Sequence, residues 1–273
     1  MEPSAVDIDS YFARIGYGGP AVTRLDTLRE IVACHVRSVP FENLDVLLGR
    51  AIVLTPEALH GKLVTRRRGG YCFEQNGYLL EVLRLLGFEA VPLSARIRLS
   101  ATRDMTPPRT HAFLKVHVDG TWWLTDVGVG SLTPTEPIRM DTEAPQATSH
   151  EAHRIVREDG RFFHQALKGD GWGDICEFTG EEMPLIDREL ANWWTSTSPT
   201  SKFRLNLSAA IVGDDGTRRG IQNNKFTRRR GAEVLETFAI GSARELLAVL
   251  RREFGLEFDD DVRFGPPGSA WPT

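Results

Sequence analysis

Residues 111–130 read HAFLKVHVDGTWWLTDVGVG. From His111 to Val118 the side chains alternate, with Ala112, Leu114, Val116 and Val118 on one side and His111, Phe113, Lys115 and His117 on the other. This is the period of a strand. Asp119-Gly120 is the strongest kind of two-residue hairpin signal, because the favoured turn needs positive φ at both central positions. Residues 121–127, TWWLTDV, are then the returning strand. If Val118 pairs with Thr121, His111 faces Gly128 and Phe113 faces Asp126. Asp126 becomes a diagonal neighbour of His111 on the same face, about 7–8 Å away between backbones and within side-chain reach. A glycine opposite the histidine leaves room for that approach, whereas a three-residue loop would reverse the parity and separate the pair.

An imidazole oriented by a carboxylate is a general base in search of a nucleophile. Of the three cysteines, Cys34, Cys72 and Cys176, only Cys72 has an informative setting: residues 66–76 read RRRGGYCFEQN. Gly69 and Gly70 permit a tight turn, and the helix that follows opens near the cysteine. A thiol at a helix N-terminus lies in the positive end of the dipole, and nearby arginines add to the preference for thiolate. Cys34 and Cys176, in apolar contexts, read as small buried hydrophobes. His117 is expected at the surface near the turn and His35 at the edge of the core. His60, His150, His153 and His164 lack a comparable acidic partner. His150-Glu-Ala-His153 is one residue short of the metalloprotease pattern H-E-x-x-H, so no metal is expected.

The chain has 273 residues, enough for one large or two ordinary domains, and is 41% hydrophobic and 26% charged. With 33 Lys and Arg against 37 Asp and Glu, its net charge of −4 supplies no global reason to expect nucleic acid or an anionic membrane as partner. An odd set of thiols without a C-x-x-C pair excludes a disulfide framework and suits a reducing cytoplasm. No basic start followed by an apolar stretch marks a signal peptide, and no apolar run reaches the length of a membrane span. No Walker or Rossmann glycine pattern is present, which disfavours nucleotide hydrolysis and hydride transfer.

The first ninety residues read as helices. Leu28, Ile31, Val32 and His35 form an amphipathic stripe that must end before Pro40. Thr55-Pro56-Glu57 opens a helix expected to run through about Val64, and a third helix runs from about Cys72 to Leu86, closed by Gly87. From Ala90 the period changes to strands: residues 91–100 and 111–118 are short β segments. Residues 141–153 read as an exposed connection, and 195–201, TSTSPTS, as a second break. Residues 203–212 and 231–240 look like strands, and Ser242-Ala-Arg-Glu245 is a capping box opening a helix through Phe254 that Gly255 closes. Arg68 is expected to pair with Glu42. Arg218, Arg219 and the basic run from Lys225 to Arg230 decorate strands, one of them a candidate phosphate contact. The six tryptophans, including Trp122-Trp123 and Trp193-Trp194, read as core or pocket wall.

Taken together, Pro40-Phe41-Glu42-Asn43-Leu44-Asp45, Arg68-Gly69-Gly70-Tyr71-Cys72 with Glu74 and Asn76, His111-Ala112-Phe113-Leu114 and Asp126-Val127-Gly128-Val129-Gly130 stand in the order and approximate spacing of a known family. The sequence resembles the arylamine N-acetyltransferases of bacterial type. The match is tight over the first half and looser beyond it, where Ser201-Lys202-Phe203 follows an S-x-F pattern. The resemblance implies an α+β fold with a cysteine-protease-like Cys-His-Asp core: a helical domain at 1–89 carrying the nucleophile, a β-barrel-like domain at 90–195 carrying His and Asp, and an α/β lid at 196–273. Family members often carry an aromatic residue where this chain has Val129, which bears on acyl-donor and acceptor preference.

By that resemblance Cys72, His111 and Asp126 form a catalytic triad for ping-pong transfer. The acetyl group of acetyl-CoA passes through a cysteine thioester to the nitrogen of a small aromatic amine, hydrazine or hydroxylarylamine. The backbone N–H groups of Cys72 and Phe73 are candidates for an oxyanion hole. Thr110, Gly128, Val129 and Gly130 are the expected coenzyme A contacts, with Gly128, Gly130 and Ser131 offering N–H groups to a phosphate. Phe41, Ile97 and Phe203 are the expected acceptor contacts. No metal or bound prosthetic group, nucleic acid or membrane is implied, and the oligomeric state is open. An amide synthase closing a macrolactam from a carrier-bound acyl chain is the alternative on the same triad. A Cys-His-Asp hydrolase and a degenerate binding protein are more distant readings.

Overall fold

The computed structural model describes residues 6–99, 101–169 and 171–265; the first five residues, Ser100 at the end of the first expected strand, and Trp271 lie outside the described residues. α1 (Ile8–Ile15) starts where the Asp7 carboxylate accepts from the N–H groups of Asp9 and Ser10, and ends at Gly16 in the left-handed region. α2 (Leu25–Ser38) buries the expected stripe, and His35, expected at the core edge, is wholly inside it. β1 (Phe41–Glu42), α3 (Leu44–Leu47) and α4 (Pro56–His60) follow, the last capped by the Thr55 hydroxyl. The α-helix expected through Val64 is corrected here. Beyond His60 the backbone widens into a π turn over Gly61–Thr65, with the Arg66 N–H donating to Gly61 O at 3.0 Å, and Lys62 is buried there. α5 (Cys72–Leu85) ends as expected, with Gly87 at φ +86.

Seven strands form one antiparallel sheet. They are β2 (Glu89–Ile97), β3 (His111–Val118), β4 (Thr121–Thr125), β5 (Ile138–Arg139), β6 (His153–Glu158), β7 (Arg161–Lys168) and β8 (Gly171–Phe178), in the order β5-β4-β3-β2-β8-β7-β6. Gln146 joins its two edges. The Gln146 main chain pairs with His153 on β6, while its side chain accepts from the Arg139 N–H of β5 at 2.7 Å and donates to the Arg139 carbonyl. The sheet is thereby nearly closed and barrel-like, and part of the 141–153 connection serves as its seam. β3 and β4 pair in the expected register, Val118 with Thr121 through Leu114 with Thr125, and Asp119 and Gly120 both have positive φ. The alternation of β3 serves two cores. Ala112, Leu114, Val116 and Val118 join Phe73, Leu79 and Val82 of α5, whereas Phe113 faces inward with Leu93, Ile155, Cys176 and Phe178.

α6 (Leu185–Thr197) and α7 (Lys202–Leu205) come next. Neither follows from the sequence reading: α6 extends into the expected break at 195, and residues 202–205 are helical where a strand from 203 was expected. The Ser201 hydroxyl caps α7 by accepting from the Phe203 N–H. β9 (Ser208–Val212), β10 (Thr217–Gln222), β11 (Lys225–Arg230) and β12 (Glu233–Ala239) form a second sheet together with β1, in the order β1-β9-β10-β11-β12. α8 (Ala243–Phe254), capped at Ser242 and ended by Gly255 as expected, buries Leu246, Val249 and Leu250 with Leu207, Ile221 and Phe226. Among the described residues, no helix is long and apolar enough to cross a membrane.

Candidate active site

Cys72 is the first residue of α5 and is 3% exposed. The chain can reach it only through glycine: a Cβ on Gly69 would lie 2.0 Å from Pro40 O, and one on Gly70 would lie 2.7 Å from Glu74 Oε2. Glu74 accepts from the Tyr71 N–H at 3.0 Å, fixing the first turn of the helix. Its other oxygen accepts from Lys62 Nζ at 2.6 Å, and Lys62 also meets Asp45 at 2.8 Å. Arg68 pairs with Glu42 at 2.6 Å, as expected, and with Asp45 at 3.3 Å. Burial opposes the ionised Asp45, yet Lys62 and Arg68 hold its carboxyl down at about 2. This buried set of alternating charges ties the 42–45 segment, the π turn and the turn leading into Cys72 together.

A neutral network supports the same turn. Gln75 Nε2 donates to Gly70 O at 2.6 Å and to Pro40 O at 3.2 Å, and its carbonyl pairs with His35 Nε2 at 3.1 Å. His35 Nδ1 then accepts from the Tyr11 hydroxyl at 2.9 Å, which settles the tautomer. Burial pushes His35 down to about 4, so the imidazole stays neutral. Tyr71 hydrogen-bonds Asn192 of α6. Tyr11, His35, Pro40 and Asn192 lie far from Tyr71 and Gln75 in sequence.

His111 Nε2 stands 2.7 Å from Asp126 Oδ2, both side chains buried, as the hairpin register requires. Asp126 Oδ1 accepts from Asn76 Nδ2 at 2.8 Å and from the Gly128 N–H at 2.9 Å. Asn76 also donates to Ala112 O at 2.8 Å and accepts from the Val127 N–H at 2.9 Å, so one side chain of α5 holds both strands of the hairpin. Burial alone would raise the Asp126 carboxyl, but His111 and these donors bring it below the usual range. Burial works against the His111 imidazolium, and attraction first to Asp126 and then to Cys72 overcomes it, pushing the imidazole up to about 10. Nδ1 is the nitrogen left for the thiol. The thiol also approaches Thr110 O at 3.8 Å.

Gly128, expected opposite His111, lies beyond the paired part of the hairpin, which ends at Leu114 and Thr125, and its nearest neighbours are on α5. A Cβ on Gly128 would stand 2.6 Å from Cys72 Cα and 3.0 Å from Asn76 Nδ2, so its bareness makes room for the start of α5. The expectation that Gly128 and Gly130 offer free N–H groups to a phosphate is also corrected. Gly128 donates to Asp126, and Gly130 donates to Thr133 Oγ1 at 2.9 Å.

One cavity of about 1030 Å³ gathers Cys72, His111, Thr110, Gly128, Val129, Gly130, Phe41, Ile97 and Phe203 in its lining, while Asp126 lies behind His111. Several cations of α7, β10 and β11 also border it. Arg218 and Arg229 are consumed by Glu151, both at 2.6 Å, and Arg219 approaches Glu253 at 3.7 Å. Lys202 and Lys225 line the cavity without an ion pair among the described residues. At the helix start, the Cys72 and Phe73 N–H groups make no hydrogen bond among the described residues. His150 and His153 do not converge: His150 meets Thr217 O, and His153 is buried against His164 at 2.9 Å. Among the described residues no group of three or more His, Cys, Asp and Glu side chains is placed to hold a metal. Trp194 is the pocket wall expected of it, and Trp193, though 62% exposed, lines a second crevice.

Comparison with known proteins bears on this geometry. The sequence model of the N-acetyltransferase family matches residues 24–263. The arylamine N-acetyltransferase of Mycolicibacterium smegmatis is 41% identical over 261 residues, 94% of this chain and 94% of that protein. The one of Mycobacterium tuberculosis is 40% identical over 260 residues, 94% of this chain and 91% of that protein. Among solved structures, the Mycobacterium marinum arylamine N-acetyltransferase in complex with CoA superposes with a TM-score of 0.87 at 37% identity, covering 91% of this chain and 92% of that one.

Proposed function

The chain belongs to the arylamine N-acetyltransferase family and is an acetyl-CoA-dependent acyltransferase, and from that premise we propose that the acetyl group travels through a thioester on Cys72. The observation that carries the reading is the convergence of Cys72, at a helix N-terminus, with an imidazole held by Asp126 at 2.7 Å on the wall of one cavity.

Cys72 Sγ, its proton passing to His111, attacks the carbonyl carbon of the acetyl thioester. The negative charge that develops on the carbonyl oxygen is met by the N–H groups of Cys72 and Phe73. Collapse breaks the bond to the coenzyme A sulfur, which leaves with the proton from His111. An arylamine, arylhydrazine or hydroxylarylamine nitrogen then attacks the acetyl-enzyme, and neutral His111 takes the proton that nitrogen loses. Collapse of this second intermediate frees the acetylated nitrogen and returns the thiolate. Asp126 stays ionised throughout, holding His111 in the tautomer that leaves Nδ1 facing sulfur. Lys202 and Lys225 meet the phosphates of coenzyme A, and Phe41, Ile97 and Phe203 flank the flat acceptor.

Intact-mass measurement after incubation with acetyl-CoA tests the reading. The expected result is one added acetyl group that maps to Cys72, persists in water and is discharged by an arylamine. Absence of the adduct, or its appearance on Cys34 or Cys176, would contradict it. Rapid loss to water would indicate a hydrolase, and acylation only from a carrier protein would indicate the amide synthase.

A further inference from the structure

A second crevice, of about 520 Å³, lies between α6 and the segment leading into β3, and no step proposed above uses it. Leu190 and Trp193 of α6 flank it at 64% and 62% exposed, an unusual amount of bare apolar surface for one helix that the Tyr71–Asn192 contact anchors to the nucleophile turn. Pro108, Thr110 and Trp194 line both this crevice and the large cavity. The Thr110 carbonyl is itself 3.8 Å from Cys72 Sγ, so the wall shared by the two cavities runs beside the sulfur.

The rim carries more acid than base, Glu181, Glu182 and Asp187 against Arg109. Arg109 is neutralised by Glu181 at 2.5 Å, whereas Glu182 and Asp187 form no ion pair among the described residues. A tryptophan face and unpaired carboxylates attract the same kind of group: a cation jacketed in alkyl carbon, which satisfies the ring electrostatically and by contact. They repel phosphates, so coenzyme A does not compete for the place.

The geometry points to a distal acceptor subsite: an arylamine with its nitrogen at Cys72 sends its para substituent between Thr110 and Trp194 into this crevice, which selects a cationic, alkyl-jacketed group. The inference rests on the acetyl-enzyme reading above. It commits the crevice to the acceptor's far end, on the ground of charge complementarity and of the wall shared with the reaction cavity.

The test compares the discharge of preformed acetyl-enzyme by three anilines: 4-methylaniline, 4-(3-trimethylammoniopropyl)aniline and its neutral isostere 4-(4,4-dimethylpentyl)aniline. The quaternary nitrogen cannot be acetylated, so only the aniline nitrogen reports. Wild type is expected to favour the cationic amine over 4-methylaniline by about tenfold in kcat/KM, with the neutral isostere between them. Trp193→Ala removes the gain for both long amines. Glu182→Gln combined with Asp187→Asn removes only the advantage of the cation over its isostere. Both variants should form acetyl-enzyme and acetylate 4-methylaniline as wild type does. Equal rates for the three amines in wild type, or a cation preference that survives both variants, would overturn the subsite. Failure of acetyl-CoA to acylate Cys72 is a different result and strikes the underlying function.

Discussion

Gly128 lies so close to Cys72 that a Cβ on the glycine would stand 2.6 Å from the cysteine Cα, a contact of backbone against backbone that no rotamer change can relieve. Gly128→Ala therefore pushes the start of α5 away from the hairpin that carries His111 and Asp126. The expected outcome is a loss of at least about 100-fold in turnover, since a displacement near 1 Å is enough for that, with destabilisation of about 1–3 kcal/mol from overpacking. Steady-state kinetics and thermal unfolding check the two effects separately. Near-normal turnover would show that the approach is not needed.

That glycine marks the boundary of what the sequence could convey. The Asp119-Gly120 turn and the alternation of β3 set the parity that puts His111 beside Asp126, because strand register is a local property. Cys72 was legible as a helix-terminal thiol for the same reason. Lys62, Gln75 and Asn76 were not legible as supports, because their partners Asp45, His35 and Asp126 come from elements far away in sequence. α6 escaped because its apolar residues do not all face the core: Ile186, Leu190 and Trp193 point outward, which blurs the stripe that marks a helix. α7 sits in a segment whose apolar alternation reads as strand, and the Ser201 cap overrides it.

The pairing of His111 with Asp126 makes stability depend on pH in a definite direction. Folding raises the imidazole from 6.5 to about 10. A raised pKa contributes stability that is complete below 6.5 and is lost as pH rises through about 10. Asp126→Asn removes the main attraction, so its unfolding free energy should fall less steeply between pH 7 and pH 10 than that of wild type. Denaturant titrations across this range measure the two slopes, and equal slopes would contradict the assignment. Turnover of the variant should drop by about four orders of magnitude, as expected when an imidazole loses its orienting carboxylate.

Asn76 is a positioning residue, and its removal should be felt through others. Asn76→Ala takes one of two donors from Asp126 Oδ1 and leaves the buried Val127 N–H without an acceptor, at a cost of about 1–3 kcal/mol. With one donor fewer, the Asp126 carboxyl moves up towards the ordinary carboxylate range, and the acid limb of the rate profile should move to higher pH with it. Asn76→Gln, one methylene longer but with the same polar groups, should restore part of the rate and most of the profile. A uniform loss of rate with an unchanged pH profile would reduce Asn76 to a packing role.

Lys202 and Lys225 differ from the other cations around the cavity in having no ion-paired carboxylate among the described residues. Arg218 and Arg229 already spend their charge on Glu151. If the unpaired lysines meet the phosphates of coenzyme A, then Lys202→Gln and Lys225→Gln each raise KM for acetyl-CoA by about three- to tenfold, the modest scale of a solvent-exposed ionic contact. The effect should shrink at high salt, where the wild-type attraction is itself screened. A phosphate-free acyl donor such as 4-nitrophenyl acetate separates this from damage to the thiol, because both variants should acetylate Cys72 from it at the wild-type rate. An equal penalty with both donors would place the lysines' role in the architecture of the cavity rather than in recognition of the donor.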